Sequence, residues 1–369
     1  MLTFFFTFKA ILKTPTMRLK KLLFEILPFI TAVLVFLLVR LAINNPDGVE
    51  KYYSNGFYPY YAIIVSSVSR FIPFSLWDMF WILTVLALIV GIIAVIIKKL
   101  KLRLFLFRTA QAAAILYTLF YVSWGFNYFR QDINKRIGST VIKTDEQLFR
   151  VALDTIISRV NINYANVNVA DYERIDIEVE KSYASNSSNI NIKYPNGSRK
   201  PKKMILSGLI SKTGISGYFG PFFSEINLNG KVLPIDYPFL LAHEKAHQFG
   251  IASEAEANLA AFVVCATSEY KEIRYSGYMA LVLYFLGDAH YLPDYEDYIK
   301  KLDEQVIDDI RFRQNYYRGL RNEKMEKAHE AVYDAYLKKN NVGSGIENYN
   351  QVVELVISLL NNNNINHSL

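Results

Sequence analysis

The chain has 369 residues, of which 52% are hydrophobic, 15% aromatic and only 20% charged. So apolar a composition excludes disorder, collagen-like repeats and coiled coil, and it makes a membrane the first environment to consider. The net charge of +7 does not mark a nucleic-acid binder, because it sits at one end: 14 Lys and Arg against 4 Asp and Glu up to Arg130, and 27 against 30 beyond it, with no single basic stripe.

Three apolar runs fill the N-terminal third. Residues 22–43 are long enough to cross about 30 Å of hydrocarbon at about 1.5 Å per residue, with Glu25 and Arg40 near the ends, where both can snorkel. Residues 79–97 form an uncharged second run and 109–128 a third, richer in aromatics. These predict a membrane domain over 1–130 and an extracytoplasmic domain over 131–369. Lys9, Lys13, Arg18, Lys20 and Lys21 precede the first run; Lys98, Lys99, Lys101, Arg103 and Arg108 separate the second from the third. The positive-inside rule then puts the N-terminus inside and, after three crossings, the C-terminal domain outside, which is the periplasm for a cytoplasmic (inner) membrane. The aromatic 44–74 connection is expected to lie along the outer membrane interface or to cap the exported domain.

Beyond the membrane the pattern predicts an α-rich (α+β) domain. Helical periodicity covers 144–159, 237–249, 254–270, 278–285, 295–317, 325–338 and 348–360, with an asparagine tail at 361–364. Residues 174–179 and 189–192 alternate like strands, and 194–203 form a turn-rich basic loop. Asn186 and Asn196 begin glycosylation sequons, as expected by chance in an Asn-rich chain.

The chemistry concentrates in 238–262, PFLLAHEKAHQFGIASEAEANLAAF. On a helix His243 and His247 project from one face, and Glu244 stands where H-E-x-x-H peptidases keep the carboxylate that accepts a proton from activated water. One cysteine, Cys265, excludes a multi-Cys site, so a metal here needs His and carboxylate. Gly250 ends the helix, and Ser253 with Glu256 fits a capping box that opens the next. A third ligand is then Glu254 or Glu256. Glu254, with Asn258 one turn on, resembles the E-x-x-x-D pattern of gluzincin peptidases, except that Asn258 brings no charge. A metzincin's third His would fall on Ser253, a poor zinc ligand. Lys245 departs from the uncharged middle pair usual in such motifs, although a helix face turned to water would accept it. Residues 222–228 are the candidate for an edge strand lining the cleft, or equally an ordinary core strand. Arg274, Tyr275 and Tyr278 are candidate oxyanion donors, while His290, His329 and His367 read as ordinary histidines.

Together with the three runs, YYSNGFYP, GYFGPFFSE, HEKAHQFGIASEAEAN and RYSGYMALV resemble an uncharacterised family of bacterial membrane proteins, domain of unknown function 3810. The resemblance covers most of the chain and implies a zincin-like, gluzincin-type domain with His243, His247 and Glu254 on Zn2+ and Glu244 catalytic. The expected function is a membrane-anchored zinc metallopeptidase acting on envelope peptides or proteins. The alternative is a non-catalytic binding or assembly module with a structural or vestigial metal.

Overall fold

A computed structural model describes residues 15–138, 145–197, 199–340 and 351–361. Lys9, Lys13, Thr144, Ser198, residues 348–350 and 362–364, and His367 lie outside these. The chain divides into two compact units, residues 1–45 with 80–126 and residues 46–79 with 127–369. Residues 46–79, counted with the membrane part by a single cut at 130, therefore pack with the C-terminal unit.

The first unit holds the helices long and apolar enough to span a membrane. They are Leu22–Ile43 within α1 (Pro15–Ile43), α3 (Leu76–Ile96) and α4 (Leu102–Ser123), with α2 (Tyr58–Ser69) between the first two in the chain. In α3 only Asp78 is buried, so its Leu, Ile and Val side chains face outward as lipid requires. The backbone carbonyl of Glu25 accepts from Gln111 Nε2 at 2.6 Å, and Arg108 lies 3.7 Å from its carboxylate. Polar groups inside a span are satisfied by neighbouring helices because lipid offers them nothing.

The second unit is α-rich. After α5 (Ile133–Ile137), helix α6 (Glu146–Ile162) starts at Asp145, whose side chain accepts from Leu148 N at 2.8 Å, and buries Phe149, Ala152, Leu153, Ile156, Ile157 and Val160 at helical spacing. Residues 174–179 are not a strand but part of α7 (Tyr172–Asn186), capped by Asp171. The alternation of Ile175, Ile177 and Val179 misleads because Ile177 faces water; the buried set is Ile175, Val179, Tyr183 and Asn186, a helical period. Residues 189–192 form a turn through Asn191 (φ 45°), which buries Ile190 and Ile192 as anchors. Asn186 is itself buried and donates to Thr267 Oγ1 at 2.8 Å, so its sequon is not displayed.

A small sheet follows: β1 (Lys202–Lys203), β2 (Gly217–Gly220) and β3 (Glu225–Leu228), in the order β1-β3-β2. β3 runs parallel to β1 and antiparallel to β2. Of the two readings of 222–228 the core strand holds, over Glu225–Leu228: all four β3 residues are buried in the centre, and β1 and β2 form the edges. The remaining helices are α8 (Tyr237–Gln248), α9 (Glu254–Ala266), α10 (Lys271–Ala289), α11 (Tyr295–Lys300), α12 (Glu304–Leu320), α13 (Glu323–Lys339) and α14 (Gln351–Leu360). A break at 301–303 splits the helix predicted over 295–317. Every residue of α9 is buried, packed between α7, α8, α10 and α14. Its alanines let neighbours approach, and Gly277 of α10 sits where a Cβ would come within 2.7 Å of Cys265.

Candidate metal centre

The turn between α8 and α9 is what brings the motif together. Gly250 adopts φ 86°, and the chain closes with Gly250 N to His247 O and Ile251 N to Ala246 O, both at 3.0 Å. That pair of bonds is a Schellman motif, which needs a left-handed residue at this position and so favours glycine. Ser253 then caps α9, accepting from Glu256 N at 3.4 Å, which leaves Glu254 as its first residue. The reversal aims Glu254 back at the face of α8 that carries both histidines.

Outer contacts from 46–79 and 127–138 hold the turn. Tyr58 Oη donates to Gln248 O at 2.8 Å, and Arg130 bridges Gly250 O at 2.8 Å and Glu50 at 2.6 Å. Gln248 Nε2 reaches Ser224 O at 2.6 Å, tying the end of α8 to the β2–β3 turn. The 44–74 connection therefore does cap the C-terminal unit.

At the centre, His243 Nε2 lies 3.1 Å from Glu254 Oε2 and 3.1 Å from His247 Nε2, and His247 Nε2 lies 3.5 Å from Glu254 Oε2. The far side of each ring fixes its tautomer. His247 Nδ1 donates to Ile251 O at 2.8 Å, and His243 Nδ1 to Asn258 Oδ1 at 2.8 Å, whose Nδ2 donates onward to Tyr284 Oη at 3.2 Å. With both rings neutral, as a metal requires, the two Nε2 atoms then present lone pairs on the side of the Glu254 carboxylate. Ligands about 2.0–2.1 Å from one tetrahedral ion stand about 3.3–3.4 Å apart, which is the spacing seen. These three side chains could hold a divalent cation. The demand for positive charge shows in the titration: burial opposes an imidazolium at His247, yet Glu254 and Glu244 overcome it and push the pKa up to about 9. Burial likewise resists charge on Glu254, but the histidines hold its carboxyl well below the usual range.

Glu244 is buried beside this triangle, and burial pushes its carboxyl up to about 7, the histidines opposing and Glu254 adding to the rise. Its Oε2 receives no protein hydrogen bond among the described residues. The edge strand β2 crosses directly over it: a Cβ on Gly217 would stand 2.5 Å from Glu244 Oε1, so any larger residue would displace the Glu244 side chain.

The structure also sorts the other candidates. Glu256 is not at the cluster; its carboxylate accepts Ile133 N at 3.0 Å and pairs with Arg136, so it does not complete the second half of a capping box. Lys245 is not turned to water but fully buried, paired with Asp176 at 2.8 Å and with Glu180. Arg274 caps carbonyls of Ser268 and Glu269, Tyr275 donates to Asp309 at 2.7 Å, and Tyr278 packs on Phe262; none of them reaches the cluster. His290 sits exposed at the end of α10, within 2.6 Å of Gly287 O. The tyrosine that does reach it is Tyr333, whose Oη donates to Glu254 Oε1 at 2.5 Å and whose ring stacks on His329. Its place on α13, 79 residues beyond Glu254, left no local signal.

A profile described as "Protein of unknown function (DUF3810)" matches residues 53–357. The chain belongs to this family. The matched stretch includes His243, Glu244, His247 and Glu254. No curated protein and no solved structure gives a significant match.

Proposed function

We propose that this member of the family is a membrane-anchored metallopeptidase, with zinc held by His243, His247 and Glu254. The observation that carries the reading is the convergence of two imidazole lone pairs and one carboxylate oxygen, 3.1–3.5 Å apart, beside a buried carboxylate that none of them uses. Zinc at this site supplies a Lewis acid that lowers the pKa of water toward about 7 and polarises a substrate carbonyl. Glu244 then accepts the water's proton at Oε2 and passes it to the departing amine. The position of Glu244 beside the ligand triangle, with Oε2 taken by no protein donor among the described residues, suits that exchange. β2, an edge strand passing over Glu244, offers main-chain pairing to an extended peptide, and Tyr333 stands within reach to donate a hydrogen bond to the developing oxyanion.

A structural ion wants a fourth protein ligand, whereas among the described residues the cluster contains three. That favours an enzyme over an assembly module. The positive-inside pattern supports placing this unit outside a cytoplasmic membrane, with envelope peptides or proteins as substrates. The test is Glu244→Gln in the full-length protein. Peptide hydrolysis is expected to fall by about 10²–10⁴-fold with metal content unchanged, since a general base is lost and no ligand is. Undiminished hydrolysis would remove Glu244 from the mechanism.

A further inference from the structure

The helix α2 has two faces of opposite character. Tyr58, Ala62, Ser66 and Ser69 are 1%, 0%, 2% and 5% exposed, a buried stripe at helical spacing. On the other side Tyr60, Ile64 and Val68 are 57%, 65% and 66% exposed, and the stripe continues through Phe57 before the helix and Phe71 after it, at 47% and 73%. A soluble surface does not keep five large apolar side chains in one row without a partner.

We propose that this face is seated in the interface of a lipid bilayer, so that α2 lies in the membrane plane while its inner face grips the candidate metal centre. Chain continuity argues for lipid as the occupant. The segment leaves one candidate span at Ile43 and enters the next at Leu76, so both its ends begin at hydrocarbon. Its charge is compatible: between Ile43 and Leu76 the charged residues are Asp47, Glu50, Lys51 and Arg70, and Asp47 and Glu50 are paired with Lys135 and Arg130, so Lys51 and Arg70 are suited to anionic headgroups. Aromatic rings bracket the aliphatic middle, as in interfacial helices, and Arg70 covers the ring of Phe71 at 4.7 Å.

The inner face carries the consequence. Tyr58 Oη holds Gln248 O at the end of α8, its ring packs on Gly250, and Tyr61 Oη donates to Phe222 O at 3.1 Å in the β2–β3 turn. A helix fixed in the lipid interface thereby fixes the turn that sets Glu254 against the histidines. If the hydrolase reading above holds, on which this clause alone rests, the substrates are polypeptide segments lying close to the outer bilayer surface.

The test reads lipid contact directly and involves no hydrolysis, so its failure is separate from failure of the peptidase reading. Full-length protein carrying Ile64→Cys or Val68→Cys is labelled with a nitroxide and reconstituted in phosphatidylethanolamine–phosphatidylglycerol vesicles. The native Cys265 is buried and stays unlabelled. Leu86→Cys in a span and Val169→Cys, at a position 86% exposed, serve as references. Collisions with oxygen are expected to exceed those with a water-soluble nickel chelate several-fold at 64 and 68, as at 86, with the order reversed at 169. Nickel access at 64 and 68 equal to that at 169 overturns the proposal. So does shielding from both reagents, which would show a protein covering the face, with spin–spin broadening marking a second copy.

Discussion

Two faces of the same helix, α8, both bury charge, and they do so in opposite ways. On one, Lys245 is paired with Asp176 and Glu180, and Arg199 joins Glu180 at 3.0 Å, so two cations meet two carboxylates. On the other, His243 and His247 meet Glu254 and Glu244 with no Lys or Arg among them. The first face is electrostatically complete, and breaking it is a matter of folding. The second has no permanent cation, and its carboxylates draw a proton onto His247 instead, which is what a cation-binding site looks like from the protein's side.

Three perturbations sharpen that contrast. The largest is Lys245→Met, which leaves Asp176 and Glu180 sharing Arg199 alone. Removing one partner of a buried ion network costs about 3–5 kcal/mol, so the thermal midpoint in detergent should fall steeply whether or not metal is supplied. A midpoint that scarcely moved would show this face to be wet. Next comes Asn258→Ala, which takes away the acceptor orienting His243. Metal affinity measured by competition with a chelator should drop about 10–100-fold while the fold survives. Unchanged affinity would mean that the ring needs no such support.

The smallest effect is a slope with pH, and here Glu180 on one face and His247 on the other differ in sign. Burial resists charge on Glu180, but Lys245 and Arg199 hold its carboxyl down to about 2, against an ordinary 4.5. That stabilisation is complete above about 4.5 and is lost as pH falls through the folded value. His247 is raised to about 9 from 6.5, so in the presence of chelator its contribution is full below 6.5 and lost as pH rises through about 9. Glu244, raised to about 7 from 4.5, has the same sign over its own window. Each group adds a slope of at most about 1.4 kcal/mol per pH unit. Thermal midpoints followed across pH should show the alkaline loss with chelator and its suppression by a divalent cation. An alkaline loss that a cation leaves untouched would assign the slope to other groups.

How far the sequence revealed these faces depended on range. The three apolar runs and the H-E-x-x-H helix were legible because each is a local pattern, and the Gly250 break foretold the reversal that presents Glu254. The other face was hidden by two linked misreadings. Taking 174–179 as a strand separated Asp176 from Glu180, which one helical turn sets side by side. Without those carboxylates, Lys245 had no visible reason to be buried. Tyr333 and Gly217 were illegible for a different reason: each acts by packing against a residue far along the chain. The edge strand was sought between the glycine turn cluster and the metal helix, but Gly217–Gly220 is itself a strand, pairs with Glu225–Leu228 and takes the rim.

The account turns on a cation at His243, His247 and Glu254, and metal analysis of the purified full-length protein reaches that claim most directly. About one equivalent of zinc per chain is expected, lost in His243→Ala while the circular dichroism spectrum is retained. A folded His243→Ala protein that kept its full complement of metal would contradict it, as would a wild-type chain that took up none.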